Sequence, residues 1–169
     1  SEMAVNFGKI LRYGLTSKER IVTIKDEINN LKAYIMLIKT RYEHIEQFII
    51  DIDESLYNKQ IIKLIFQPIV ENAVYHGLST VGEGGRITIK GYTDKDYVVF
   101  EIADNGAGMS PDQVVSLNGY INDLNDNFKS IGLKNVNMRI KLYYGEAFGI
   151  TISSAVNKGT LVKIILPFI

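Results

Sequence analysis

Apolar residues recur at intervals of three and four along residues 18–46: Ile21, Ile24, Ile28, Leu31, Ile35, Ile38, Tyr42 and Ile45. That spacing is an a/d seam and predicts one long helix. Thr16 or Ser17 is its expected N-cap, with Glu19 or Arg20 in the first turn. One helix packed on its own domain would show an apolar stripe of this kind. The sustained register points instead to a helical hairpin or a dimer bundle. Met3 to Tyr13 reads as the tail of an earlier helix, ended by Gly14. After Glu46 the period changes. Phe48, Ile50 and Ile52 alternate with Ile49, Asp51 and Asp53, which predicts a strand and a domain boundary near residue 47.

Asn58 to Leu78 reads as a helix with Ile62, Ile65, Ile69 and Ala73 on one face. Pro68 starts its second half or kinks it, and Gly77 is a natural C-cap. Arg86–Tyr92 and Tyr97–Ala103 form a predicted hairpin. Residues 111–130 are polar and rich in Asn and Asp, with little periodicity after Leu117, and predict a long loop of the kind that often carries function. Ile131–Tyr144 reads as a helix. Phe148–Ser154 and Thr160–Leu166 form a last hairpin across residues 157–159.

Composition narrows the function classes. The chain has 169 residues, 46% hydrophobic and 22% charged, which fits a folded globular protein. A net charge of zero argues against an electrostatic nucleic-acid binder. There are no cysteines, so neither a disulfide framework nor a thiolate metal site is possible. No apolar run approaches the ~18 residues of a membrane span. The opening Ser1-Glu2-Met3 reads as an internal stretch of a longer protein, with Ser1 a cloning remnant.

Three motifs carry candidate chemistry. In Gln67-Pro68-Ile69-Val70-Glu71-Asn72-Ala73-Val74-Tyr75-His76-Gly77, Asn72 and His76 lie four apart and would share a helix face, with Glu71 beside them. Asn72 offers a neutral oxygen, and Mg²⁺ carried by a nucleotide needs few protein ligands. Glu71 could accept a proton or orient a water. In Asp104-Asn105-Gly106-Ala107-Gly108-Met109, Asp104 continues the parity of Val98, Phe100 and Ile102. A carboxylate pointing where apolar side chains point needs a donor. The exocyclic amine of adenine could supply one. Gly106 and Gly108 allow a tight turn and close approach to a ligand. In Ser130-Ile131-Gly132-Leu133-Lys134-Asn135-Val136, a helix begins, and its free amides favour phosphate. Lys134 could add a point charge there.

In this order the motifs resemble the Bergerat-type (GHKL) ATP-binding fold shared by histidine kinases, Hsp90, MutL and the gyrase B subunit. The N box looks like Glu71–Gly77, the G1 box like Asp104–Gly108, and the G2 box like Gly132 with Leu133. Lys158-Gly159-Thr160 looks like the late G-T turn. Gln67-Pro68, Glu71-Asn72-Ala73, His76-Gly77, Gly132–Val136 with Arg139, and Tyr34 through Arg41-Tyr42 are similar to LytS/YesM-type sensor histidine kinases.

The resemblance implies an α+β fold: a two-layer α/β sandwich whose mixed, mostly antiparallel sheet is covered by helices on one face, preceded by a long amphipathic helix from a dimerisation bundle. It implies that residues 1–46 end a dimerisation and phosphotransfer region and that residues 47–169 are the ATP-binding catalytic domain. It implies ATP and Mg²⁺ as cofactors, with Asn72 on the metal and Glu71, Asn72 and His76 near the chemistry. Asp104 would read the adenine amine. Gly106, Gly108, Met109, Gly132, Leu133, Lys134 and Thr160 would line the nucleotide, and residues 110–130 would form a lid. A response regulator is the implied partner, in a homodimeric cytoplasmic portion of a membrane sensor.

Two positions depart from the pattern. Ser130 stands where Gly is usual, and Tyr75 stands where many relatives carry Lys, leaving phosphate neutralisation to Lys134 or His76. The family's phosphoacceptor motif, Asn-Pro-His-Phe in type, is not in the sequence. The two histidines are His44 and His76. His44 is flanked by Glu43 and Glu46 and is expected on a solvated face. The phosphoacceptor is therefore expected upstream of Ser1. Two other readings stand beside this one: an anti-sigma-type serine kinase, which has a similar N-box pattern on the same fold, and a nucleotide-sensing dimer module that binds ATP without transfer.

Overall fold

The computed structural model describes residues 2–15, 20–123 and 132–168. Helix α1 (Glu2–Leu15) lies along α2 (Ile24–Lys39). The predicted helix over 18–46 is shorter at both ends. Ile21–Thr23 is strand β1, paired antiparallel with β3 (Gln60–Ile62). Thr23 then caps α2 through a capping box with Asp26. At the other end the Thr40 hydroxyl donates to the Leu37 carbonyl, and Ile45 already belongs to β2 (Ile45–Ile52). The expected caps Thr16 and Ser17 lie outside the described residues. Ile24, Ile28, Leu31, Ile35 and Ile38 are buried in the same core as the sheet, so these seam positions are covered within the chain.

The main sheet runs β2-β4-β5-β7-β6, with β4 Gly85–Asp94, β5 Tyr97–Asp104, β6 Gly149–Ser154 and β7 Thr160–Pro167. Strand β2 pairs parallel to β4, and the other three pairings are antiparallel. Strands β4 and β5 meet in the predicted hairpin, where Lys95 takes φ 53° between Asp94 and Tyr97. Period-two alternation sorts the two faces. Ile87, Ile89, Val98, Phe100, Ile102, Val162 and Ile164 face the helices. Glu101, Lys163 and Tyr92 lie on the opposite face, where Tyr92 donates to Glu101 at 2.9 Å. The centre of the core is Phe100 against Phe66, edge to face at 4.8 Å. Burying one such ring contributes about 1.5–3 kcal/mol. Gly91 makes room for it, since a Cβ there would lie 2.8 Å from the Phe100 ring. The implied α+β architecture is the one observed.

Two predicted segments differ. Asn58–Leu78 is not one helix. It contains β3, a turn at Leu64 (φ 57°), then α3 (Gln67–Asn72) continuing into a π-helical turn, Ala73–Gly77. Pro68 sits in the first turn of α3, where its missing N–H breaks no bond. The apolar periodicity of Ile62, Ile65 and Ile69 comes from burial, not from continuous helix. Residues 111–130 are not all loop either. Pro111–Asn122 is helix α4, started by a Ser110–Gln113 capping box with Pro111 in its first turn. Its Asn118 is polar because it finishes a sheet edge. Asn118 bonds the backbone of Ile152 on β6 through both ends of its amide. Asn137, fully buried on α5 (Leu133–Tyr144), accepts from the Ile150 amide and donates to the Ile121 carbonyl. Such bonds occupy backbone groups that an edge strand leaves open. Residues 124–131, including Ser130, lie outside the described residues.

Candidate functional site

Strand β5 carries Asp104 to the end of the sheet, and α3 brings Gly77 against it. A Cβ on Gly77 would fall 2.7 Å from the Asp104 carboxylate. A Cβ on Gly106 would fall 1.8 Å from the Gly77 carbonyl, which accepts from the Ala107 amide at 2.9 Å. A Cβ on Gly159 would meet the Asp104 carbonyl at 1.9 Å, and one on Gly108 the Ala155 carbonyl at 1.9 Å. Gly108 and Gly159 also hold positive φ, 66° and 80°. Glycine is required here for close approach of backbone to backbone.

Within this cradle Asp104 is half-buried. Its Oδ1 accepts from the Gly106 amide at 2.9 Å and the Thr160 amide at 3.3 Å. Among the described residues nothing donates to Oδ2. Burial pushes the Asp104 carboxyl above the ordinary carboxylate range, against the lowering by those two amides. A carboxylate with one oxygen satisfied and one open suits a ligand N–H group.

Neighbouring side chains hold the loop around Asp104. Asn105 accepts from the Arg86 amide at 2.7 Å and donates to the Gly84 carbonyl at 2.9 Å. Ser154 accepts from the Met109 amide at 2.9 Å and donates to the Gly159 carbonyl at 2.7 Å, joining the G1-like loop to the Lys158-Gly159-Thr160 turn. Sequence reading did not single out Ser154. A serine ending a strand carries no signal of its own, and its partners are 45 and 5 residues away.

The first motif is placed less simply than an i, i+4 face. Asn72 is half-buried at the end of the α-helical part of α3, and no described residue hydrogen-bonds its carboxamide. The π-helical turn follows it, with the Leu78 amide bonding back to the Ala73 carbonyl. His76 in that turn is exposed, as is Tyr75, which packs edge-on against Tyr42 at 5.8 Å. Glu71 accepts from Gln67 Nε2 at 2.9 Å. His44 is not on a solvated face. It is half-buried, with Nε2 3.2 Å from the Leu78 carbonyl, to which it donates.

Gly132 caps α5 beside the start of α3, where a Cβ would lie 3.8 Å from the Pro68 carbonyl. Leu133 is buried, as is Lys134, whose ammonium lies 4.4 Å from the Tyr120 ring centroid. The third motif therefore meets the α3 end opposite Gly77. An 11-residue helical stretch separates those ends, about 15 Å at 1.5 Å per residue.

This geometry has known counterparts. Residues 57–169 match the family model of histidine kinase-, DNA gyrase B-, and HSP90-like ATPases. The chain belongs to that ATPase family. A separate histidine kinase model matches residues 1–46. The sensor histidine kinase YesM of Bacillus subtilis is 33% identical over 167 residues, covering 99% of this chain and 27% of that protein. The sensor histidine kinase BtsS of Escherichia coli K12 is 27% identical, covering 99% and 28%. The chain thus spans under a third of these curated relatives. Among solved structures, the histidine kinase domain of a blue-light activated kinase from Erythrobacter litoralis superposes with a TM-score of 0.59 at 12% identity, over 99% of this chain and 78% of that one. The histidine kinase ThkA, solved in complex with the response regulator TrrA, gives 0.59 at 16% identity, over 99% and 47%. The resemblance to YesM-type kinases drawn from the motifs is borne out, and with it the nucleotide-binding fold.

Proposed function

We propose that this chain is the ATP-binding catalytic part of a two-component sensor histidine kinase. The open Oδ2 of Asp104, set in a cradle that only glycines fit, carries the reading. In this reading it accepts from the exocyclic amine of adenine. Guanine presents a carbonyl oxygen at the corresponding position, so the site would reject it by facing acceptor with acceptor. Met109 and Thr160 flank the base. The nucleotide then runs along α3 toward Gly132, Leu133 and Lys134, where the amides of the α5 N-terminus favour phosphate.

Among the described residues no group of three or more His, Asp or Glu side chains could hold a metal ion by itself. That donor set fits a Mg²⁺ held chiefly by phosphate oxygens, with the uncommitted Asn72 carboxamide as one protein ligand. The ion supplies charge neutralisation at the phosphates when bound. Glu71 lies next to Asn72 and takes the proton as an imidazole nitrogen attacks the γ-phosphorus and the bond to ADP breaks. His76 stays at the exposed rim. The acceptor is a histidine upstream of residue 1, in a region that residues 1–46 complete, with residues 47–169 as the catalytic domain. The phosphoryl then passes to an Asp of a response regulator. In the full-length protein this takes place in a homodimer on the cytoplasmic side of a membrane sensor. No helix among the described residues is long and apolar enough to cross a membrane.

Calorimetry with Mg²⁺-ATP and Mg²⁺-GTP tests the binding half. Binding of ATP, weak binding of GTP, and loss of ATP binding in Asp104→Ala are expected. Equal affinities of wild type and Asp104→Ala for ATP would refute the site. Acid-labile phosphate on the full-length protein tests the transfer half. Acid-stable phosphate on a partner serine would indicate a serine kinase instead, and binding without transfer a nucleotide sensor.

A further inference from the structure

Helix α2 carries three buried or nearly buried polar side chains beside its apolar seam: Glu27 (1% exposed), Asn30 (7%) and Tyr34 (9%). Their spacing of three and four puts them on one helix face. All three are directed at the segment that leads into and forms α3. Glu27 accepts from the Leu64 amide at 2.6 Å and the Ile65 amide at 3.0 Å. On the other side of this turn Arg139 from α5 donates to the carbonyls of Lys63 and Leu64. Asn30 Nδ2 donates to Gln67 Oε1 at 2.9 Å, and Gln67 Nε2 donates to Glu71 Oε1 at 2.9 Å. Tyr34 lies close enough to Glu71 and Tyr75 for both to push its hydroxyl upward in pKa, after burial itself.

The direction of this chain of bonds is dictated by its last member. An ionised carboxylate can only accept, so Gln67 must turn its NH₂ toward Glu71. Its oxygen then faces Asn30, which must offer its own NH₂ in return. Asn30 Oδ1 is left buried with no hydrogen-bond partner among the described residues. Buried polar atoms without partners are uncommon and are worth explaining. Here the orphaned oxygen is the consequence of polarising the relay toward Glu71. A helix that served only to cover the core would need neither Asn30 nor its unsatisfied atom.

We propose that Asn30 and Gln67 are positioning residues. Through them α2 fixes the rotamer of the Glu71 carboxylate for phosphoryl transfer, while leaving the nucleotide's own contacts alone. The inference rests on the role proposed above for Glu71. It also means that a shift of α2 along its axis would reach Glu71 through side chains before it disturbed Asp104.

The test uses the full-length kinase that contains this chain. Single-turnover transfer and Mg²⁺-ATP affinity are measured for Glu71→Gln, Asn30→Leu, Gln67→Met and the double variant of the last two. Misplacing a catalytic group by an ångström can slow a reaction by about 100-fold, so each single variant should lose roughly 10- to 100-fold in transfer rate. The Kd for Mg²⁺-ATP should stay at the wild-type value. The double variant should be no slower than the slower single one, because both break one relay. Independent structural damage would instead multiply. If Asn30→Leu melts below the assay temperature, Asn30→Asp replaces it. Asp keeps the shape but turns an acceptor toward Gln67 Oε1, and the same loss is expected. Wild-type transfer in the Asn30 variant, multiplied losses in the double variant, or a parallel fall in ATP affinity would overturn the proposal. Wild-type transfer by Glu71→Gln would overturn the role of Glu71 itself, which separates the two failures.

Discussion

Gly106→Ala puts the architecture of the site to a direct test. The added Cβ would lie 1.8 Å from the Gly77 carbonyl oxygen, and real Cβ contacts essentially never come under 3.0 Å, so the two backbones must part by about 1.2 Å (3.0 less 1.8). Neither side is a flexible side-chain tip. Gly77 ends the π-helical turn, and Gly106 follows the strand that holds Asp104. Parting them stretches the bond from the Ala107 amide to the Gly77 carbonyl, now 2.9 Å. It also draws the Gly106 amide away from Asp104 Oδ1, now 2.9 Å. Overpacking of this kind costs about 1–3 kcal/mol, and one lost hydrogen bond about 1 kcal/mol more. Together they destabilise by about 2–4 kcal/mol, a fall of roughly 4–16 °C in Tm for a chain of this size. Adenine recognition should fail with it, because the carboxylate moves relative to Gly77. The control is Gly119→Ala, inside α4, where a Cβ meets nothing within 4 Å. Exposed in a helix, that change should stabilise by about 0.5–1 kcal/mol. Thermal melts and ATP calorimetry on both variants decide it. A Gly106→Ala protein that melts with wild type and binds ATP equally well would refute the close-approach argument.

Three further expectations come from the same structure. Asp104→Asn keeps an oxygen for the Gly106 and Thr160 amides but removes a charge that burial disfavours; Tm at neutral pH should be equal or higher while ATP binding falls, and a lower Tm would count against the burial argument. Burial pushes the Glu27 carboxyl up as well, beyond what Tyr13 and the amides of Leu64, Ile65 and Phe66 lower it. A carboxyl raised in the folded state holds its proton more tightly there, so its contribution is full below the unfolded value and is lost as pH rises through the folded one. Urea midpoints should therefore decline from this group as pH climbs above about 4.3. Glu27→Gln should flatten that decline and, by turning an NH₂ toward a backbone amide, destabilise by about 1–3 kcal/mol; an unchanged pH slope would show that Glu27 is not the titrating group. Ser110→Ala removes the α4 cap and should cost about 1 kcal/mol in chemical unfolding; no change would mean that the asparagine bonds to β6 alone hold that helix.

Much of this protein follows from local pattern. The β4–β5 and β6–β7 hairpins and α5 are legible because alternation and helical spacing act within a few residues. The Ser110-Pro111-Asp112-Gln113 start of α4 is equally local, a capping box, but the polar asparagines behind it hide the helical period. Asn118 among them is polar for a distant reason, the open backbone of β6. The glycines and Asp104 of the second motif indicate a tight turn around a carboxylate that needs donors wherever it folds, and the Gly106 and Thr160 amides supply two.

What only the tertiary structure decided is long-range. Heptad spacing specifies an apolar stripe but not what covers it, and here the core of the same chain covers Ile24 to Ile38 while β3 takes Ile21 out of the helix. Asn58–Leu78 carries a helical period, but Glu27 and Arg139, 37 and 75 residues from Leu64, hold a left-handed turn inside it. Likewise no spacing rule joins Asn30 to Glu71 or Ser154 to Met109. Sequence determines which side chains seek burial, a cap or a charge partner, since those preferences are intrinsic to each residue and its near neighbours. Which partner each one finds is settled only when the sheet and helices close on one core, because hydrogen bonds and packing act over a few ångströms in space and are indifferent to distance along the chain.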